Sequence, residues 1–276
     1  MQLEMIYLDR PLMIKRAVDI AIPQADAEGR KQTTALLYVH GGGWNLGARE
    51  QFHHHLEHFS LRGYWAGSVG YRLAPGAKWQ EQLKDVMEGY GRFLQRIDEA
   101  GDHVDRVIVI GSSAGAHLAS LLALMEPWQL DVPVVLAEGQ ARWRKPDACV
   151  SINGPGSMER WDDMNELIRE SIERVAGVGY DDETDVFAKM SPDRYVRAGC
   201  PDFLFLIVER EKYFPHPLVY RMSDSIRAAG SRSEVVYFED ADHGFFYGIS
   251  SPLQQKALAV LEKFVEAIGA AESSLK

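Results

Sequence analysis

The sequence predicts an α/β protein in which helices flank a mostly parallel sheet of about eight strands. Short apolar runs rich in β-branched residues recur along the 276 residues, as expected for strands that are buried on both faces. Between them lie segments whose apolar residues recur at three- and four-residue spacing, which is typical of amphipathic helices. Strands that alternate with helices in this way form a parallel sheet covered on both sides.

The first predicted strands lie near the N-terminus. Met5–Leu8 and Arg16–Ile22 are short extended segments that suggest an antiparallel hairpin at one edge of the sheet. Thr34–Val39 is a continuous apolar run and predicts a strand buried on both faces.

A glycine-rich loop, His40-Gly-Gly-Gly-Trp44, follows this buried strand directly. Successive glycines let the backbone come close to a ligand and turn its N–H groups toward it. We therefore expect the amides of Gly42 and Gly43 to donate to an oxyanion. We also expect Trp44 to contact the substrate.

The segment Phe52-His-His-His-Leu-Glu-His58 contains four histidines but no H-E-x-x-H pattern. We interpret it as a solvated or partly packed helix face and predict no metal site. A strand over Tyr64–Tyr71 leads through Tyr71-Arg-Leu-Ala-Pro75 into a long helix with one wide apolar stripe between Leu83 and Ile97.

The run that begins at Val107 ends in Gly111-Ser-Ser-Ala-Gly115, and a helix is predicted from Ala114 to about Met125. Strand, G-x-S-x-G and helix together indicate a nucleophile elbow, in which Ser113 stands at a strained position above the sheet. A Cβ at either flanking glycine would crowd the sharply folded backbone. Ala114, the residue after the serine, is the third expected oxyanion donor.

Residues 128–146 are irregular, and Asp147–Ile152 is a short strand. Residues 157–190 then carry apolar residues, including Trp161, among many charges and read as a small helical insertion. Two interpretations remain open: a lid with substrate contacts, among them Trp161, or an amphipathic surface helix.

The last third of the chain supplies the base and the acid. His243 lies in the loop after the final strand, Glu234–Phe238, so that the order serine, acid, histidine matches a catalytic triad. The acid should follow the strand Asp202–Val208, where both Glu211 and Glu209 are available. Counting back from Pro215 favours Glu211. Helices are predicted near Leu218–Ala229 and Leu253–Ile268, and Asp240 and Asp242 are interpreted as turn residues.

Composition limits the partners and the location. A formal net charge of −10 argues against nucleic acid or an anionic membrane, since both attract positive surfaces. No apolar run is long enough to span a membrane, the N-terminus lacks the pattern of a signal peptide, and the two cysteines do not form a disulfide framework. We expect a cytoplasmic protein with one domain over residues 1–276, and a homo-oligomer remains open.

Four motifs together resemble the α/β-hydrolase superfamily: His40-Gly-Gly-Gly-Trp44, Tyr71-Arg-Leu-Ala-Pro75 with Asp85, Gly111-Ser-Ser-Ala-Gly115 and Asp242-His-Gly244. They resemble its hormone-sensitive-lipase-related carboxylesterases and its small feruloyl- and acetyl-xylan-esterase-like enzymes. The similarity extends over residues 33–268. It implies ester hydrolysis without a cofactor, with Ser113 as the nucleophile.

Three departures from the family pattern stand out. The acid loop has Glu-Arg-Glu where aspartate is common, and Ala116 replaces a frequent second glycine. The large N-terminal cap of the lipase-like branch is not found, which favours the small esterases. The resulting prediction is a serine hydrolase acting on short-chain or small esters. An arylformamidase-like amidohydrolase and a catalytically inactive binding protein remain as alternatives.

Overall fold

The computed structural model describes residues 2–9, 13–135, 143–182 and 184–271. Residues 136–142 of the segment predicted to be irregular, and Glu183 of the insertion, lie outside the described residues.

Eight strands form one sheet, and their bounds follow the chain order: β1 (Leu3–Tyr7), β2 (Ala17–Ala21), β3 (Thr34–Val39), β4 (Trp65–Val69), β5 (Arg106–Ser112), β6 (Ala148–Ile152), β7 (Asp202–Arg210) and β8 (Ser233–Asp242). The spatial order is β1-β2-β4-β3-β5-β6-β7-β8. β2 pairs antiparallel with both β1 and β4, and the other neighbours are parallel. The predicted mostly parallel sheet and its antiparallel edge hairpin are therefore confirmed.

Seven α-helices lie among the described residues: α1 (His53–Ser60), α2 (Trp79–Glu99), α3 (Ala114–Leu124), α4 (Glu166–Ala176), α5 (Thr184–Met190), α6 (His216–Ala228) and α7 (Pro252–Ala270). None of the helices in the described part of the chain is both long and apolar enough to cross a lipid bilayer.

The core lies on both faces of the sheet, and alternate residues of each strand contribute to opposite faces. On β3, Leu37 and Val39 join the cluster that contains α2, α3 and α6, whereas Leu36 and Tyr38 join the cluster with α1 and α7. This burial on both faces explains the continuous apolar runs of the central strands.

Parallel register brings the carboxyl ends of the strands together at one edge. Val39 of β3 is paired with Gly111 of β5, so the loops that follow both strands start side by side. On the other side, Arg210 of β7 is paired with Asp242 of β8 after a register shift that begins at Val208. Glu211 and His243 each follow one of these paired residues. β8 thus extends past Phe238, through residues for which a loop was predicted.

Candidate active site

Ser113 occupies the sharp turn between β5 and α3. Its φ of 55° and ψ of −121° lie in a region that residues with a side chain rarely adopt. The Ser113 amide donates to the Ile152 carbonyl at 2.8 Å, which ties the strained turn to β6. A Cβ on Gly111 would collide with the Gly115 carbonyl, and one on Gly115 with the Val39 carbonyl. The steric reason given for both flanking glycines is confirmed.

A chain of hydrogen bonds joins Ser113 to His243 and Glu211. His243 Nε2 lies 2.8 Å from Ser113 Oγ, and His243 Nδ1 lies 2.9 and 2.8 Å from the two carboxylate oxygens of Glu211. Because a carboxylate only accepts, Nδ1 carries the proton, and Nε2 is left free to accept the serine proton. The three residues are separated by 98 and 32 positions in sequence, and the strand register described above brings them together.

The Glu211 carboxylate is held by the backbone that follows it. Its Oε1 accepts from the amides of Lys212, Tyr213 and Phe214 at 3.0, 2.9 and 3.3 Å. Burial raises the pKa of Glu211, but His243 and the amides of Tyr213 and Phe214 lower it by more, so that the pKa lies below its ordinary value. Glu211 is therefore ionised at neutral pH.

Glu209, the alternative acid, lies elsewhere. It is exposed, and its Oε2 accepts from the Asp240 amide at 2.8 Å. Asp242 pairs with Arg210 at 2.9 Å and does not contact His243 in the described structure. Among these carboxylates, Glu211 is the one that the structure brings to His243.

The glycine loop, which we define as residues 40–47, faces Ser113. Gly42 and Gly43 have φ values of 119° and 56°. A Cβ on Gly42 would collide with the Leu46 carbonyl, so glycine is needed for this close turn. Within the described residues, the amides of Gly42, Gly43 and Ala114 have no hydrogen-bond acceptor. They are available to a ligand at Ser113.

The structure places the Trp44 side chain in the core, so the expectation that it contacts the substrate is wrong. Trp44 is fully buried, and its indole N–H donates to His117 Nδ1 at 3.1 Å. The left-handed backbone at Trp44, with a φ of 62°, turns the side chain inward after the glycines. Its role is to support the glycine loop.

The Tyr71-Arg-Leu-Ala-Pro75 segment supports the same loop. Tyr71 Oη donates to the His40 carbonyl at 2.9 Å, and the Ala74 amide donates to the Trp44 carbonyl at 2.9 Å. Arg72 binds the fully buried carboxylate of Asp85 through its amide and guanidinium at 2.8 to 2.9 Å. The motif thus fixes the back of the glycine loop.

A cleft of about 620 Å³ opens above Ser113 and His243. One wall consists of Tyr247 and the glycine loop, including Asn45 and Leu46 of that loop. The other wall is formed by α4, with lining residues that include Leu167, Ile168, Ser171 and Arg174. Leu167 is 66% exposed, whereas Ile168 is buried against the core. One helix of the insertion is therefore both packed on the core and open to the cleft, and the interpretation of residues 157–190 as a lid with substrate contacts stays a prediction.

Trp161 does not line the Ser113 cleft. It lines an adjoining cavity of about 270 Å³ with residues that include Tyr213 and Phe214. Tyr213 borders both cavities, and its ring packs edge-on against His243 with the centroids 4.7 Å apart. Sequence reasoning missed Tyr213 and Tyr247, because single aromatic residues in loops give no signal of which cavity they border.

Three of the four histidines of the 52–58 segment have separate partners, and the fourth, His54, is exposed. His53 binds Asp19 and His58 binds Glu262, at 2.8 and 2.7 Å. His55 is fully buried, with Nε2 3.1 Å from the Phe246 carbonyl, whereas the sequence predicted only a partly packed face. No group of metal-ligating side chains occurs among the residues that the structure describes.

Comparison with solved structures finds the same fold in esterases. Esterase 2 from Thermogutta terrifontis with bound propionate superimposes with a TM-score of 0.74 at 23% identity, covering 99% of this chain and 96% of that one. Esterase B from Lactobacillus Rhamnosis gives a TM-score of 0.78 at 16% identity, covering 97% and 86%. At such identities, the similarity establishes the fold.

Comparison with curated sequences finds Mycobacterium tuberculosis proteins. Esterase LipC is 30% identical over 226 residues, and esterase LipQ is 27% identical over 223 residues. These matches cover 78% and 79% of this chain but 54% and 52% of the two esterases, so the chain spans about half of their length. The sequence model of the BD-FAE family matches residues 18–219, most of the chain. The α/β-hydrolase fold and this match together show that the chain belongs to the BD-FAE family.

Proposed function

We propose that this protein is a serine esterase that cleaves small carboxylic esters without a cofactor. The observation that carries the proposal is the hydrogen-bonded chain Ser113–His243–Glu211 at the floor of an open cleft. The similarity to proteins named esterases supports the same reaction.

In the proposed reaction, Ser113 Oγ attacks the ester carbonyl while its proton passes to His243 Nε2. Glu211 stabilises the imidazolium that forms. The negative charge on the carbonyl oxygen is stabilised by the amides of Gly42, Gly43 and Ala114, each of which is typically worth about 100- to 1000-fold in rate. His243 then returns the proton to the leaving alcohol, and a water molecule repeats the sequence to release the acid.

The cleft supports a preference for small esters. Its volume of about 620 Å³ is bounded by α4, and its aliphatic lining consists of Leu46, Leu167 and Ile168. Such a short apolar wall suits short acyl chains. A cytoplasmic location belongs to the same proposal, since Cys149 and Cys200 are both free and buried.

A fluorophosphonate probe tests the reaction directly. We expect the probe to label the native protein at Ser113 and to leave the Ser113→Ala variant unlabelled. A folded wild-type protein that is not labelled would favour the inactive binding protein instead. A panel of p-nitrophenyl esters of increasing acyl length, with acetylated sugars, feruloyl esters and N-formylkynurenine, then tests the substrate class. Turnover of the formamide alone would favour the arylformamidase-like alternative.

A further inference from the structure

His117 lies in the first turn of α3 and is fully buried. Its amide donates to the Ser113 carbonyl at 3.1 Å, as an i to i−4 bond of the helix, so its backbone lies one turn from the nucleophile. Its side chain bridges two other parts of the site. Nδ1 lies 3.1 Å from Trp44 Nε1, and Nε2 lies 2.7 Å from the Met190 carbonyl.

These partners fix the state of the imidazole. The Met190 carbonyl can only accept, so Nε2 carries the proton. The indole N–H of Trp44 can only donate, so Nδ1 is the acceptor. Burial lowers the pKa of His117 to about 4, so the ring is neutral and both nitrogens are satisfied at neutral pH.

Trp44 fixes the glycine loop through three hydrogen bonds. Its carbonyl accepts from the Ala74 amide and from Gln82 Nε2, both at 2.9 Å. The indole N–H provides a third hydrogen bond, and this one leads to α3. The two proposed oxyanion donors, Gly42 and Gly43, immediately precede Trp44. The His117–Trp44 bond therefore spans the gap between the nucleophile's helix and the loop that carries these donors.

A purely structural reason for histidine here is weak. The rest of α3 is built from small and aliphatic residues, and every residue of the helix is buried. An imidazole at such a position must have its polar atoms satisfied, whereas an aliphatic side chain would pack without that requirement.

We propose that His117 is a positioning residue that sets the distance between Ser113 and the oxyanion donors of the glycine loop. This inference rests on the function proposed above and adds a residue outside the triad to it. His117 acts through Trp44 and does not touch the substrate.

Two substitutions separate the contributions of the two hydrogen bonds that the His117 imidazole makes. His117→Gln can still donate to the Met190 carbonyl but no longer accepts from Trp44. His117→Asn can keep an acceptor near Nδ1 and loses the contact with Met190. Since removing an oxyanion donor costs about 100- to 1000-fold, displacing donors should cost less, so we expect H117Q to lower kcat about tenfold with little change in KM. H117N should keep kcat within about threefold.

Trp44→Phe tests the other end of the same bond. It removes the indole N–H and leaves α3 unchanged, so it should lower kcat by about as much as H117Q. The double variant should be no slower than either single variant, because residues that share one interaction are not additive. Independent losses that multiply in the double variant would overturn the proposal.

Loss of folded protein is controlled in two ways. Rates are expressed per site titrated with a fluorophosphonate, and Leu122→Ala serves as a variant that loosens the same helix through a fully buried side chain. We expect L122A to lower the melting temperature and to keep kcat per titrated site. If L122A loses as much kcat as H117Q, or if H117Q keeps the wild-type kcat, His117 has only a structural role. An unlabelled wild-type protein would instead refute the proposed reaction itself.

Discussion

Replacement of Glu211 by glutamine is the sharpest test of the proposed triad. In the native site, Oε1 accepts from three successive amides, and Oε2 lies 2.8 Å from His243 Nδ1. A carboxamide has a single oxygen, and that oxygen must remain with the amides because an NH2 group there would face other donors. The NH2 group then replaces Oε2, which is the carboxylate oxygen nearer to His243 Nδ1, at 2.8 Å against 2.9 Å for Oε1.

A donor at that position, together with the loss of the carboxylate charge, favours the opposite tautomer of the imidazole. In that tautomer Nδ1 is the acceptor, the proton lies on Nε2, and Nε2 can no longer accept the proton of Ser113. An amide in place of a triad carboxylate typically lowers kcat about 10⁴-fold by this route. We expect Glu211→Gln to lose about this factor in the hydrolysis of p-nitrophenyl acetate, with a smaller change in KM.

Glu209→Gln is the matched control, since Glu209 lies two residues away on the exposed end of β7 and its carboxylate accepts from the Asp240 amide. It should change kcat by less than about threefold, consistent with the small energies of exposed interactions. Equal losses in the two variants, or a Glu211→Gln variant that keeps a tenth of the wild-type kcat, would refute the assignment. Melting temperatures of both variants show whether either loss reflects unfolding.

Three further predictions concern stability and are checked by urea denaturation. Gly115→Ala should destabilise by more than about 3 kcal/mol, because its Cβ would meet a backbone carbonyl of β3, whereas Gly76→Ala, which has more space, should change little. Asp85→Asn should cost about 3 kcal/mol, because it removes the buried carboxylate that Arg16 and Arg72 share, although Arg16 keeps Asp9 and Glu88 as partners. The exposed Asp98→Asn on the same helix should be nearly neutral. Burial lowers the pKa of His40, His55 and His117 to between about 3 and 4, so the unfolded chain binds more protons than the native protein below pH 6.5. The free energy of unfolding should therefore fall by up to about 4 kcal/mol per pH unit from pH 6.5 toward pH 4. A free energy of unfolding that does not change over this range would contradict the account.

The sequence was most informative where the chemistry is encoded in adjacent residues. The elbow around Ser113 and the turn at Gly42 depend on local steric constraints, and the glycines reveal those constraints directly. The eight strands were found because central strands are apolar on both faces. Their ends were less well predicted, and β8 continues to Asp242 because pairing with β7 extends past the apolar run.

Features that depend on long-range packing were not accessible in the same way. The choice between Glu211 and Glu209 depends on where β7 ends, since Glu209 lies within the strand and Glu211 follows its last residue, Arg210, which is paired with Asp242 next to His243. Whether Trp44 faces the cleft or the core depends on the backbone dihedral angles after the glycines. The one signal for His117 was an imidazole in an otherwise apolar helix, and its partners lie 73 residues away on either side.

The two ends of the insertion, residues 157–190, lie next to each other before the chain continues into β7. Ser191 Oγ accepts from the Met158 amide at 2.8 Å and lies 3.2 Å from Ser157 Oγ, so both ends of the segment are fastened at one place. For a flexible connection between fixed ends, doubling the length costs only about 0.6 kcal/mol in closure entropy. Changes in the connections of this segment would therefore alter the α4 wall of the cleft while the strands that carry Ser113, Glu211 and His243 remain as they are.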